Sequence, residues 1–149
     1  MNPISSDDFF DQLLAQAVND AIPAVVVGVA VIEAGRVLLL KRRSDDFMPD
    51  VWEVPGGHVD AGETVADAVR RELWEETGLR LSAITGYLGY YDYPGEFGMT
   101  RQWNFRVEVD PWTTITHPEH ASHCWSDKRH ALMLPMTKEM AELVDMLPI

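Results

Sequence analysis

Residues 70–78 read RRELWEETG, and three of the nine are glutamates: Glu72, Glu75 and Glu76. On a helix these positions fall within one turn, where like charges repel by roughly 0.2–0.5 kcal/mol per pair. At about 100° per residue, Glu72 and Glu76 prolong the stripe begun by Val65 and Val69, with Glu75 beside Glu72. Arg70, Arg71, Asp67 and Trp74 take the other side. A carboxylate turned toward a partly buried surface loses hydration unless it is paired. A hard divalent cation compensates such a set, because it takes several oxygen ligands and no sulfur. The plain alternative is a solvated acidic face laced by Asp67–Arg71 and Arg71–Glu75 ion pairs. The place of Glu72 and Glu76 on the wheel argues against it.

The preceding stretch, VPGGHVDAGE at 54–63, carries Gly56, Gly57 and Gly62. Backbone carbonyls and amides exposed in such a loop can meet a cation or a phosphate. Taken singly, each glycine also reads as an ordinary turn residue. Glu63, just before the helix, suits the positive end of the helix dipole. Lys41 and Arg42 end one strand and Arg101 opens another; each reads either as a phosphate contact or as solvated strand-end charge. His117, His120, His123 and Cys124 lie in HPEHASHC, but a zinc site wants four tetrahedral ligands. The run has no partnered CxxC and Pro118 breaks its spacing, so it reads as a histidine-rich loop. Trp103 and Tyr87, Tyr90, Tyr91 and Tyr93 have the shape to stack on a base, although strand aromatics more often fill cores.

These residues need elements to hold them. Thr64 is placed to cap a helix over 64–77, with Asp67 as its partner and Gly78 as its stop. Residues 24–32 and 36–42 are β-rich runs joined by Glu33-Ala34-Gly35, a hairpin signal. Residues 51–54 form a short strand that Pro55-Gly56-Gly57 should stop. Strand-like sequence covers 80–92, a turn is expected over 93–98, and 101–109 alternates as a half-buried strand does. A loop over 117–122 precedes a short strand at 123–126. Thr137 begins a last helix with Met140, Leu143, Val144 and Leu147 in a stripe. At the start, Ser5 or Ser6 before Asp7 and Asp8 marks a docking helix over about 5–20. The pattern predicts one mixed α/β domain over 1–149 with that helix as an extension.

The chain of 149 residues carries a formal net charge of −12, which repels nucleic-acid polymers and argues against a DNA- or RNA-coating role. A small phosphorylated ligand stays compatible, since a bound cation reverses the field locally. A single cysteine excludes an internal disulfide and fits a reducing cytoplasm. The acidic N-terminus is not a secretory signal, and the longest apolar runs are too short to span a bilayer.

Gly57, Glu63 and Arg71-Glu72-Leu73-Trp74-Glu75-Glu76-Thr77-Gly78-Leu79 together resemble the Nudix box, G-x5-E-x7-R-E-U-x-E-E-x-G-U with U aliphatic. Every fixed position is matched over residues 57–79. The WEVPGG lead-in and strand order extend the likeness to most of 22–147. The resemblance implies an α/β/α sandwich with a mixed β-sheet. It also implies metal-dependent hydrolysis of a nucleoside diphosphate linked to another group: a nucleoside triphosphate, ADP-ribose or a nucleotide sugar. The metal, Mg²⁺ or Mn²⁺, would be held by Glu72, Glu75, Glu76, the Gly56 carbonyl and, directly or through waters, Glu63. Arg71 would orient a glutamate, Glu72 would act as general base, and Glu119 is a second candidate acid from the loop before the last strand. Lys41, Arg42, Gly57 and Arg101 would meet the substrate phosphates. Pro94, fifteen positions after Leu79, sits near where ADP-ribose-cleaving members tend to carry a proline, and a turn proline beside Gly95 explains it equally. The rival is a silent nucleotide-binding module with the same fold, and the intact acidic set favours the enzyme. No membrane partner is expected, and a homodimer is compatible.

Overall fold

The computed structural model describes residues 7–149. The proposed capping serines, Ser5 and Ser6, lie outside the described residues. The chain runs α1 (Asp7–Asn19), β1 (Ala24–Glu33), β2 (Arg36–Arg42), β3 (Trp52–Glu53), β4 (Gly56–His58) and α2 (Val65–Thr77). It continues through β5 (Leu81–Gly95), β6 (Gly98–Val109), β7 (His120–Ser126), α3 (Lys128–Ala131) and α4 (Lys138–Met146).

The strand path is β3-β2-β1-β6-β5, with β4 paired to β1 and β7 to β2. β1 is parallel to β6 and antiparallel to β2 and β4, so the sheet is mixed. Because side chains alternate across a strand, β1 feeds two cores. Val27, Val29 and Val31 pack with Phe10 of α1, Val65, Val69 and Leu73 of α2, and Trp103 and Phe105 of β6. Ala30 packs on the other side with Val37, Leu39 and the α4 stripe of Met140, Leu143, Val144 and Leu147. Helices therefore cover both faces of the sheet, as the sandwich reading expects.

Local signals place α2 well. The Thr64 hydroxyl accepts from the Asp67 N–H at 3.1 Å, and Gly78 takes the left-handed conformation at φ 73°. A side chain there would carry a penalty glycine avoids. Elsewhere the sequence reading is corrected. Pro55-Gly56-Gly57 does not end β structure, because Gly56–His58 pair with Val26–Gly28 of β1. A Cβ on Gly56 would strike the Val27 carbonyl, so this approach needs glycine. The expected turn over 93–98 shrinks to its tip, since β5 reaches Gly95 and β6 begins at Gly98. β7 starts three residues earlier than expected, at His120, because residues 122–126 pair with residues 37–41 of β2 and, past a register shift at Ala121, His120 pairs with Arg42. The four-residue α3, capped by Asp127, had not been expected.

Candidate active site

The helix α2 divides its glutamates by exposure. Glu72 and Glu76 are buried, at 9% and 5% exposure, while the Glu75 side chain is about half exposed, at 47%. The helical wheel places Glu72 and Glu76 along the valine stripe, and the structure sets Glu75 apart from them.

Arg71 is the hub of the N-terminal part of this cluster. Its Nε and Nη2 donate to both oxygens of Glu63 at 2.7 and 2.8 Å. Its Nη1 donates to Glu72 at 2.7 Å and to Glu75 at 3.2 Å, and Nη2 also reaches the His58 carbonyl at 2.9 Å. The Glu63 carboxyl is held below its ordinary range by the Arg71 hydrogen bonds. The Glu72 carboxyl is raised, chiefly by burial, with Arg71 opposing and Glu75 and Glu119 adding. Glycine at 57 makes room here, since a Cβ would run into the Glu72 carboxylate.

Glu76 has no such cation. Burial, then Glu53, Glu72 and Glu119, push its carboxyl up to about 9, against the Gly56 N–H. Its Oε2 is buried with no hydrogen-bond partner, and so is Nδ1 of His120. The two atoms lie 3.5 Å apart. On the far side of the ring, His120 Nε2 meets Glu53 Oε2 at 3.0 Å. The other Glu53 oxygen accepts from Arg42 Nε at 2.8 Å.

A cleft of about 240 Å³ opens beside this group, lined by Arg42, Met48, Glu53, Tyr91, Tyr93, Gln102 and Met140 among others. It adjoins a space of about 170 Å³ that reaches Gly56, Gly57 and His58. Gln102 and Asn104 are buried and bonded to each other at 2.8 Å. They occupy the room left by Gly28, where a Cβ would collide with both amides. A larger depression of about 690 Å³ lies along Trp74, Arg70 and Arg80, sharing only Glu63 and Arg71 with the cluster. Neither buried glutamate lines it, so it is not the site.

The structure thus brings Glu63, Arg71, Glu72, Glu75, Glu76, Gly56 and Gly57 together, with Glu119 close enough to act electrostatically on Glu72 and Glu76. Arg42 lines the cleft, already engaged by Glu53 and Asp46. Lys41 lies 4.0 Å from Asp50 and does not line it. Arg101 is not brought to the cleft: it is 4% exposed, bonded to Asp92 and Asp20, and stacked over Tyr90. Strand alternation sets it on the face opposite Gln102. Trp103 and Tyr87 are core, whereas Tyr91 and Tyr93 reach the cleft.

The sequence does not single out Glu53, Gln102 or Asn104. A lone acid in VWEV and the amide alternation in RQWNF were the available signals. From the sequence His120 belongs to a histidine-rich loop; in the structure it is the one histidine of that run that turns in to the glutamates, whereas the rings of His117 and His123 pair with each other at 5.1 Å.

Among the described residues, no three His, Cys, Asp or Glu side chains converge as a closed cation cage. The donors nevertheless fit a hard cation with an open shell: carboxylates only from α2, one of them buried with a bare oxygen.

The model of the NUDIX domain matches residues 22–147. The RNA pyrophosphohydrolase of Rhodospirillum rubrum is 33% identical over 138 residues, covering 79% of this chain and 82% of that protein. The m7GpppN-mRNA hydrolase NUDT17 of Xenopus laevis is 49% identical over 65 residues, 41% of this chain. The chain spans less than half the length of the first curated relatives it matches, 22% for the frog protein and 41% for an archaeal one. Among solved structures, a MutT NUDIX hydrolase from Burkholderia pseudomallei superposes with TM-score 0.69 at 27% identity, covering 83% of this chain and 97% of that one.

Proposed function

The chain belongs to the NUDIX family, and from that premise we propose that it is a metal-dependent pyrophosphohydrolase. Its substrate is a nucleoside diphosphate linked to another moiety, cleaved by water attack on phosphorus. The observation that carries this reading is Glu76: a buried carboxylate with a bare oxygen, beside Glu72 and Glu119, on the helix that bears the complete motif. A fold that leaves such a group unpaired loses stability unless a ligand completes it.

Glu72, Glu75, Glu76 and the Gly56 carbonyl would hold Mg²⁺ or Mn²⁺, with Glu63 and Arg71 behind them. A divalent ion bound there neutralises phosphate oxygens and lowers the pKa of a bound water. Arg71 fixes one oxygen of Glu72 at 2.7 Å and so sets that carboxylate's orientation. Glu72 accepts the proton of the attacking water in this reading, and its proton affinity, raised by burial, suits a base. Glu119 is the second candidate for that task. Arg42 and the Gly57 backbone face the phosphates from the cleft. Arg101 is assigned instead to joining the end of α1 to β5, through Asp20 and Asp92.

Among the described residues no helix is long and apolar enough to cross a membrane. A cytoplasmic location and a small nucleotide rather than a polymer complete the proposal, in keeping with Cys124 as the sole cysteine and the net charge of −12. A panel of nucleoside triphosphates, nucleotide sugars, ADP-ribose and dinucleoside polyphosphates, assayed with and without Mg²⁺, tests it. Product analysis then identifies the phosphorus attacked. Undiminished turnover in both Glu75→Gln and Glu76→Gln would refute the ligand roles.

A further inference from the structure

We propose that His120 is a nitrogen ligand to the divalent ion, beside Glu76, and that Glu53 is the carboxylate that orients it. The proposal rests on the metal-dependent reading above and adds a donor that the helix motif does not contain. Three observations carry it. His120 Nδ1 and Glu76 Oε2 are the two side-chain atoms found buried without a hydrogen-bond partner among the described residues, and they face each other at 3.5 Å. The His120 and Glu76 side chains are each 6% exposed. The opposite ring nitrogen is already committed, at 3.0 Å, to Glu53.

The chemistry follows from that commitment. Glu53 is ion-paired through one oxygen with Arg42 Nε at 2.8 Å. The other oxygen of that carboxylate accepts, so Nε2 is the ring nitrogen that donates to it. In the neutral ring this fixes the tautomer and leaves Nδ1 as a bare lone pair aimed at Glu76. Ligating histidines generally donate their second ring N–H to a carboxylate in this manner, which raises their basicity. The spacing agrees. An ion about 2.1 Å from each of two donors separates them by roughly 3.4 Å at a tetrahedral angle and roughly 3.0 Å at a right angle. A direct hydrogen bond would draw the same two atoms closer, to about 2.7–3.2 Å. An imidazole donor also shifts preference from Mg²⁺ toward Mn²⁺, Co²⁺ and Zn²⁺.

The rival arrangement is an imidazolium bridging Glu53 and Glu76, with the ion held elsewhere. Electron spin-echo spectroscopy of the protein loaded with Mn²⁺ alone separates the two, because a directly bound imidazole modulates the manganese signal. We expect nitrogen modulation in the wild type, altered by selective ¹⁵N-histidine labelling, lost in His120→Gln and kept in His123→Gln. Calorimetric titration of the same proteins should show the Mn²⁺ to Mg²⁺ affinity ratio falling at least about tenfold in His120→Gln. Glu53→Gln should weaken Mn²⁺ by about tenfold or more while retaining the modulation. Mn²⁺ bound tightly without nitrogen modulation overturns the histidine ligand and leaves the hydrolase reading standing. No divalent binding by the wild type overturns both. If His120→Gln does not fold, the labelled wild type decides.

Discussion

One acidic helix meets its neighbours in two different ways. Around Glu63, Glu72 and Glu75, the negative charge is answered from within by Arg71, which donates to all three. One turn along, Glu76 is more deeply buried and has no cation, only a histidine ring held by Glu53. In the first region every carboxylate has a hydrogen-bond partner. The second is left open, and an unpaired buried carboxylate is a place where the fold gives up stability for a ligand. Motif spacing alone treats the three box glutamates as equivalent; their surroundings make them unlike.

Four measurements probe that contrast. Glu76→Gln should lower turnover at least about a hundredfold, the usual consequence of removing one strong electrostatic stabiliser. The metal-free variant should melt no lower than wild type, because the cost of keeping a carboxyl group in that buried, unpartnered position is gone. A clear fall in melting temperature would show Glu76 to be structurally satisfied and erase the contrast. Arg71→Ala should cost about 2–3 kcal/mol by denaturant unfolding, because it strands Glu63 and Glu72 in poorly hydrated positions. A loss within about 0.5 kcal/mol would mean that Arg71 is not the hub.

The two regions should also answer pH with opposite signs. Glu76 is raised to about 9, so the folded state binds more protons than the unfolded state between the ordinary glutamate range and pH 9. Its contribution is fully present below about pH 4.5 and is lost as pH rises, by at most about 1.4 kcal/mol per pH unit. Glu63 is lowered by Arg71, so its contribution is present above the ordinary glutamate range and lost as pH falls through its own value. Metal-free unfolding at pH 6 and pH 8 should show the Glu76 slope, and Glu76→Gln should flatten it. An identical slope in the variant would contradict the assignment. The smallest effect belongs to Glu75→Gln, whose half-exposed ion pair should change metal-free stability by no more than about 0.5 kcal/mol. Its effect on turnover should be large, and that split between stability and activity marks a ligand rather than a structural acid.

Much of this was legible in the residues. The helix over 64–77, its Thr64 cap and Gly78 stop, the 24–42 hairpin and the final helix after Thr137 all follow from interactions within a few positions. The place of Glu72 and Glu76 on the core edge also followed, because a helix converts sequence spacing into facing direction, whereas the exposure of Glu75 did not. Gly56–His58 misled because glycines that usually mark a turn here permit close strand pairing with β1. Arg101 misled because a strand-opening cation looks the same from the sequence whichever face it points to. Gln102 and Asn104 alternated as a solvated face would, yet β6 lies between β1 and β5, and both amides are covered.

The sequence by itself determined that one helix carries three acids and an arginine at hydrolase spacing, since those relations span a turn or two of chain. Only the tertiary structure decided which acid is left without a partner. Glu53 and His120 stand 67 residues apart and meet because β3 and β7 flank β2 on opposite sides. Sheet pairing, which no local spacing encodes, brings the ring between two carboxylates and turns its free nitrogen toward Glu76.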